Sequence, residues 1–290
     1  MRIFIAGATG AVGRRLVPLL AAEGHHVTAL SRRTHPGAGG GVTTVVGDVY
    51  DAERLRDVVM AARPDVVMHQ LTDLASRDFA ANSRIRREGT RNLVDAALAA
   101  GVRRVVSQSI AWAYEPGSTP ADESTPLDLH APDATRRATV EAVATLEAIT
   151  AEAPEWVALR YGMVYGPDTW YTKGALMADL ATTGNLPTGP DITSFLHIDD
   201  AATAAAAALT WPTGAVNVVD NTPAPASTWA PAFAESVGSP AAAADGGAAG
   251  DVPDEVAAAR TPWARGASND YARSLGWSPA HPTWRTGFGS

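Results

Sequence analysis

Short apolar runs alternate with longer amphipathic stretches along the first half of the chain. Runs bounded by polar residues or glycine predict strands, and apolar positions at helical spacing between them predict helices. Because nearly continuous apolar strands are typical of sheets covered on both faces, the pattern predicts a doubly wound parallel α/β sheet. The predicted strands span residues 2–6, 26–30, 43–46, 66–69, 104–107 and 156–161, and the helices span residues 11–23, 52–62, 82–100 and 134–152.

The sequence changes character after Gly166, where prolines, glycines and tryptophans become frequent. An alanine-rich helix over residues 199–209 and a strand over residues 215–219 indicate a return to the sheet. We therefore expect a first domain over residues 1–166, rejoined by residues 195–220. A smaller C-terminal substrate lobe should comprise residues 167–194 and 221–290.

Composition narrows the class of partner. Hydrophobic residues make up 46% and charged residues 19% of the 290 residues, and no apolar run approaches the ~18 residues of a membrane span. The net charge of −8 argues against a nucleic-acid partner. The chain lacks cysteine, and no histidine or carboxylate spacing predicts a metal site. We expect a cytoplasmic protein that acts on a small molecule without nucleic acid or membrane, and a homodimer is left open.

Gly7, Gly10 and Gly13 lie between the first strand and the first helix. Backbone amides at a helix N-terminus face a pyrophosphate well, and missing side chains permit its close approach. The first domain is therefore predicted to bind a dinucleotide. The turn residues predicted to contact it are Gly7, Thr9, Gly10, Ala11, Val12 and Gly13.

The end of the second strand indicates which nicotinamide cofactor is preferred. An acidic residue there would bind the ribose 2′-hydroxyl, but this chain has Ser31, Arg32 and Arg33. Because a guanidinium group matches a 2′-phosphate, NADP(H) is favoured over NAD(H); solvated surface arginines are the alternative. Asp48 and Val49 follow the third strand and are placed to meet adenine, unless Asp48 only caps a helix.

Several motifs occur in the order of a known family: GATGAVG, GDVYD, VVMHQ, EGTRNLVDAA, VRRVVSQS, ESTPLD, LRYGMVYGP, FLHIDDAA and LGWSP. Over nearly its full length the chain resembles an extended short-chain dehydrogenase/reductase of the NAD-dependent epimerase/dehydratase family. The resemblance implies a Rossmann sheet and a small carbonyl or hydroxyl substrate, such as a sugar nucleotide or a secondary metabolite. It also places Gln70, Leu71, Thr72 and Tyr161 near the cofactor.

The family's usual catalytic residues are a serine or threonine and a Tyr-x-x-x-Lys pair, in which the tyrosine acts as acid or base. Ser109 falls where that serine lies, but DATRRATVEAVATLEA, at the start of the long helix, contains neither tyrosine nor lysine. One register places Asp133 and Arg137 at the two positions, and the other places Thr135 and Thr139 there. Neither register restores the pair.

Other residues are candidates for the missing roles. Tyr114, in the loop after the fifth strand, is the nearest phenol and is predicted to act as an acid, with packing beside Trp112 as the alternative. Ser109, Tyr114 and Arg137 are therefore the predicted catalytic residues, although an arginine cannot shuttle a proton. Arg86 occupies the place of an asparagine of the family. The predicted substrate-pocket residues are Arg86, Trp112, Tyr165, Trp170, Tyr171 and Lys173, the only lysine of the chain.

Three functions remain open from the sequence. The first is an NADP(H)-dependent oxidoreductase or dehydratase with non-standard catalytic residues. The second is a non-redox cyclase or isomerase that keeps the cofactor as a scaffold. The third is a non-catalytic regulator that senses NADP. Tryptophans and tyrosines in the second lobe favour a small organic substrate over a protein partner.

Overall fold

The computed structural model describes residues 1–33, 40–73, 79–239 and 265–288. Its strands are β1 (Arg2–Ala6), β2 (His26–Ser31), β3 (Val42–Val46), β4 (Val66–His69), β5 (Arg104–Ile110), β6 (Glu155–Tyr161), β7 (Met163–Tyr165), β8 (Ile192–Thr193), β9 (Phe195–His197), β10 (Gly214–Val218) and β11 (Ala224–Pro225). Its helices are α1 (Gly13–Ala22), α2 (Ala52–Ala62), α3 (Phe79–Arg84), α4 (Thr90–Ala99), α5 (Ala134–Thr150), α6 (Leu176–Thr182), α7 (Ile198–Ala207), α8 (Ala226–Ser236), α9 (Asp270–Ser274) and α10 (Trp284–Gly287). A π-helical turn, Ile85–Gly89, joins α3 to α4.

Within the described residues, seven strands form the main sheet in the order β10-β6-β5-β4-β1-β2-β3. The pairs from β6 to β3 are parallel. The chain therefore starts near the middle of the sheet, extends to one edge and then crosses to the other side. This order confirms the predicted doubly wound α/β fold, and it brings the ends of β1, β4 and β5 together at the carboxyl edge.

Most predicted elements match the observed ones to within a few residues. The exception is the long helix predicted over residues 82–100, which divides into α3, the π-helical turn and α4. A π-helical turn accommodates an extra residue that helical periodicity does not reveal. The correction matters because Arg86, a predicted pocket residue, lies in that turn.

The described chain divides into two compact units. The first comprises residues 1–110, 129–161 and 201–216, and the second comprises residues 111–128, 162–200 and 217–290. This division differs from the predicted one because residues 111–128 and 162–166, and residues 195–200 and 217–220 of the predicted return segment, belong to the second unit. Residues 240–264 of the predicted lobe lie outside the described part.

Each unit has its own apolar core. In the first, strands β1, β4 and β5 pack with α2 and α4 through residues such as Phe4, Leu55, Leu93 and Val105. The second unit contains an aromatic cluster of Tyr165, Tyr171, Phe195, Trp229, Phe233, Trp284 and Phe288. No helix in the described ranges is long and apolar enough to cross a membrane.

Candidate functional site: a dinucleotide cradle and its surroundings

The turn after β1 has the geometry of a phosphate cradle. Gly7 has φ +99°, a backbone conformation that other residues rarely adopt, and a Cβ atom there would lie 2.4 Å from the backbone carbon of Gln70. Both the conformation and the lack of space therefore require glycine at this position. A Cβ on Gly13 would lie 2.1 Å from the backbone oxygen of Gly7. Helix α1 begins at Gly13 without a side-chain cap and without an acidic residue in its first turn. Its N-terminus therefore suits an anion, and the residues present fit a dinucleotide.

The carboxyl end of β2 carries positive charge and no carboxylate. Arg32 and Arg33 are exposed, while Ser31 is buried and its hydroxyl accepts the amide of Arg33 at 3.2 Å. After β3, the carboxylate of Asp48 accepts the amide of Tyr50 at 3.0 Å, and the buried Val49 accepts a bond from Asn92 through its carbonyl. The sequence-predicted residues at these two strand ends thus lie on the same edge as the cradle.

Buried polar groups follow β4 next to the cradle. The His69 ring bonds the Thr90 hydroxyl at 2.9 Å and accepts the amide of Leu71, and burial with the nearby Arg86 charge lowers the pKa of His69 to about 4. The Tyr161 hydroxyl donates to the carbonyl of Ala201 at 3.2 Å. Burial raises the pKa of this phenol well above its ordinary value, which makes it a poor acid. Thr72 is exposed.

Ser109, the predicted catalytic serine, belongs to a buried network. Its hydroxyl donates to Oε1 of Glu147 at 2.6 Å, and Arg160 binds both oxygens of that carboxylate at 2.9 and 2.6 Å. One turn further along α5, Thr150 donates to the Ser107 hydroxyl. Helix α5 is therefore joined to β5 by hydrogen bonds that the sequence alone did not indicate. The catalytic role of Ser109 stays a prediction.

The start of α5 offers no proton donor of the usual kind. Asp133 caps the helix by accepting the amide of Arg136 at 2.6 Å, and Thr139 donates its hydroxyl to the carbonyl of Thr135. Arg137 donates to the carbonyl of Ala131 at 2.7 Å. In either sequence register these residues serve helix structure, and Arg137 in particular holds the loop before α5.

A small open cavity of about 20 Å³ lies within the second unit. Two of the predicted site residues, Trp112 and Tyr114, line it together with Thr193, Ser194 and Arg265. Tyr114 is buried, and its hydroxyl donates to Oδ1 of Asn217 at 2.6 Å. Thr193, Ser194 and Arg265 were not predicted, because no motif marks either of the two distant segments that supply them.

The other predicted pocket residues of this unit lie elsewhere. Tyr165 and Tyr171 are almost fully buried, and both contact Phe195 and Phe288 edge-on or by stacking. Their rings therefore stabilise the core rather than line the described cavity, because aromatic packing removes large apolar areas from water. Trp170 packs against the same cluster, and Lys173 is exposed.

His197, Asp200 and His281 converge in the second unit with their ligand-type atoms within 4.8 Å of one another. The two imidazole rings are stacked at 3.6 Å and 25°, so their planes do not converge on one ion as ligands would. The Asp200 carboxylate accepts the amides of Ala280 and His281 at 2.8 and 2.9 Å. Through these two bonds Asp200 anchors the C-terminal segment.

A second buried carboxylate, Asp220, holds the same segment. It accepts the amides of Thr222 and Trp284, and burial raises its pKa to about 7. No local pattern in the sequence signals this contact, because Asp220 and Trp284 come together only in the folded second unit.

With this geometry in place, comparison with known proteins assigns the class. The model of the NAD dependent epimerase/dehydratase family matches residues 3–219, and the chain belongs to that family. A reductase from a Streptomyces species, 3-diazoavenalumate denitrifying reductase, is 45% identical over 100% of this chain and 99% of its own length. A ceramide reductase from Caulobacter vibrioides is 30% identical over 69% of this chain and 58% of that protein. The protein is an NAD(P)-dependent enzyme of the short-chain dehydrogenase/reductase type.

Solved structures confirm the fold. Bordetella bronchiseptica WbmG in complex with NAD and UDP has a TM-score of 0.76 at 21% identity, covering 100% of this chain and 93% of WbmG. The UDP-glucose 4-epimerase of Thermus thermophilus in complex with NAD has a TM-score of 0.73 at 22% identity, covering 100% and 97% of the two chains. The expectation of an extended short-chain dehydrogenase/reductase is confirmed.

Proposed function

We propose that this enzyme is an NADP(H)-dependent reductase that removes the diazo group of a small conjugated carboxylate. The main observation that supports this proposal is that the chain has the dinucleotide cradle but lacks the Tyr-x-x-x-Lys pair. The relative from Streptomyces, similar over its whole length, is named for the reductive loss of nitrogen from a diazo compound. The chemistry of such a substrate explains why the proton donor is dispensable.

Bound NADPH would supply one hydride, which forms a C–H bond while the electron pair of the C–N bond leaves with N₂. A diazonium cation and a hydride give a neutral product without any proton, so neither a phenol nor an ammonium group is required. The chain's own part is to hold the cofactor at Gly7, Gly10 and Gly13 and to position the substrate. Positioning alone supplies a large share of the barrier reduction when the electrophile is this reactive.

The direct test uses NADPH deuterated on either face and a diazo-substituted hydroxycinnamate as probe. For each product molecule we expect one N₂ released, one NADPH oxidised and one deuterium at the carbon that carried nitrogen. Deuterium should be transferred from only one of the two faces of the nicotinamide ring. Mass spectrometry of the product and absorbance of the reduced nicotinamide measure these quantities. Release of N₂ without NADPH oxidation and without label would instead favour a non-redox enzyme, and binding without turnover would favour the regulator.

Tyr114→Phe separates hydride displacement from ordinary carbonyl reduction in the same assay. Reduction of a carbonyl would lose about 10²- to 10⁴-fold in rate if Tyr114 were its acid. Displacement of N₂ needs no acid, so we expect a single-turnover rate within a few-fold of the wild type. A loss in the larger range would contradict the proposed chemistry and support the predicted role of Tyr114.

The NADP preference is proposed from Arg32 and Arg33, exposed at the end of β2 with no carboxylate beside them in the sequence. We expect Arg32→Asp to weaken NADPH binding about tenfold or more, because charge-assisted hydrogen bonds contribute ~1.5–3 kcal/mol, and to leave NADH nearly unchanged. Fluorescence titration of both cofactors measures this. Arg56→Asp, an exposed arginine on α2, makes the same change in net charge and should alter neither affinity. Equal affinity of the wild type for NADPH and NADH would refute the preference.

A further inference from the structure

Arg86 is a buried arginine for which the described part of the chain provides no partner. It is 7% exposed, and among the described residues none accepts a hydrogen bond from its guanidinium group and none forms a salt bridge with it. Its neighbours behave differently: Arg84 pairs with Glu88 at 2.6 Å, and Arg87 reaches Glu141 at 3.9 Å. In this short segment, two arginines thus pair with acidic residues at the surface, whereas Arg86 lies in the interior.

A buried cation without a counter-ion is costly for a fold, and proteins usually pair it. Burial lowers the pKa of Arg86 to about 10, so the group still carries its charge near neutral pH. It lies in the π-helical turn, an insertion that is frequent at functional sites because it redirects a side chain. These features together describe a prepared site for a negative group.

The position of Arg86 in the first unit indicates which group that is. Its charge acts on His69, the last residue of β4, which pairs in register with Ala6 of β1 and Ser107 of β5. The next residue, Gln70, has its side-chain Nε2 buried without a hydrogen-bond partner. Two buried donors, neither of which has a partner within the described ranges, therefore belong to the carboxyl edge of the central strands, where the dinucleotide cradle begins.

The cofactor phosphates already have donors at this edge. The uncapped N-terminus of α1 suits the pyrophosphate, and Arg32 and Arg33 suit a 2′-phosphate. A planar guanidinium fork matches a carboxylate or an aromatic oxyanion equally well. This division of roles leaves Arg86 for the substrate.

We propose that Arg86 binds an anionic oxygen of the substrate, a carboxylate or a phenolate, and so orients the carbon that receives the hydride. The proposal rests on the proposed function for the identity of the substrate, while the anion site itself does not depend on turnover. Arg86 takes the place where the family resemblance leads us to expect an asparagine. Gln70 is the second donor of the site.

The test measures binding of three probes to the enzyme saturated with NADP⁺: 4-hydroxycinnamate, its primary amide and 4-methoxycinnamate. We expect the wild type to bind 4-hydroxycinnamate about 10- to 100-fold more tightly than at least one of the two analogues, as is typical for a charged hydrogen-bonded contact. Arg86→Met should abolish that ratio. Arg87→Met, in the same turn but exposed, is the matched control and should retain it. Isothermal titration calorimetry gives all of these affinities.

Each result has a defined meaning. A weakly bound amide identifies the carboxylate as the anchored group, a weakly bound methoxy analogue identifies the phenolate, and both support the site. A wild type without any acid preference, or an Arg86→Met variant that keeps the preference, overturns the proposal. A fall in NADP⁺ affinity of Arg86→Met with the probe ratio unchanged also overturns it, since Arg86 would then anchor the cofactor.

A folding defect in Arg86→Met does not end the test. Arg86→Lys keeps the charge but loses the bidentate fork, so it should fold and show an intermediate probe ratio. The proposal is contradicted if Arg86→Lys binds the probes with the same affinity ratio as the wild type and a folded variant with a neutral residue at position 86 does so as well. An enzyme that binds the acid through Arg86 but releases no N₂ refutes the proposed function alone.

Discussion

Gly13→Ala is expected to destabilise the first unit by about 3 kcal/mol and to abolish cofactor binding. The new Cβ would lie 2.1 Å from the Gly7 oxygen and 2.7 Å from backbone atoms of Ala8, and backbone atoms of a tight turn cannot move aside as a flexible side chain would. Urea unfolding without cofactor measures the loss, and titration with NADP⁺ tests the cradle.

Gly10→Ala is the matched control for this variant. A Cβ there would approach the same Gly7 oxygen only to 3.3 Å, so a shift of a few tenths of an ångström accommodates it. We expect its unfolding free energy to stay within about 1 kcal/mol of the wild type. A Gly13→Ala protein as stable as Gly10→Ala would show that the turn is looser than the structure describes.

Arg160→Leu is expected to cost the first unit about 3–5 kcal/mol, because it leaves the Glu147 carboxylate buried without its cation. The two side chains are 8% and 11% exposed, and Arg160 binds Glu147 through two hydrogen bonds. Chemical denaturation of the variant without cofactor measures the change. Ser109→Ala removes only the third hydrogen bond to the same carboxylate and should cost about 1 kcal/mol.

The double variant Glu147→Leu/Arg160→Leu, compared with the single variants Arg160→Leu and Glu147→Leu, completes a double-mutant cycle. It removes both charges and fills the space with apolar groups, so we expect it to recover most of the stability lost in Arg160→Leu. A double variant as unstable as the sum of its two single variants would mean that the charges do not act on each other.

Helix α5 illustrates how far the sequence reached at the site. The sequence predicted the helix and the loss of the Tyr-x-x-x-Lys pair from its first turns, since both depend on residue types at known spacing. It did not predict that Glu147, near the other end of α5, binds Ser109 and Arg160. That contact depends on the rotation of α5 against β5 and β6, which tertiary packing sets.

The aromatic residues of the second unit show what the sequence left undecided. Tryptophans and tyrosines after Gly166 suggested a substrate pocket, but Tyr165 and Tyr171 are core residues, while Trp112 and Tyr114 line the cavity. A single sequence does not distinguish a ring that packs from a ring that lines a pocket, because both are apolar and both favour burial.

The sequence by itself determined the order of strands and helices in the sheet domain, the glycine turn after β1 and the positive charge at the end of β2. These features are local: they follow from side-chain periodicity, from the conformational freedom of glycine and from residues a few positions apart. Only the tertiary structure decided that Arg86 is buried with no partner among the residues it describes, and that Asp200 and Asp220 hold the C-terminal segment. Burial and pairing are set by segments that lie far apart in sequence, so they become defined only when the chain has folded.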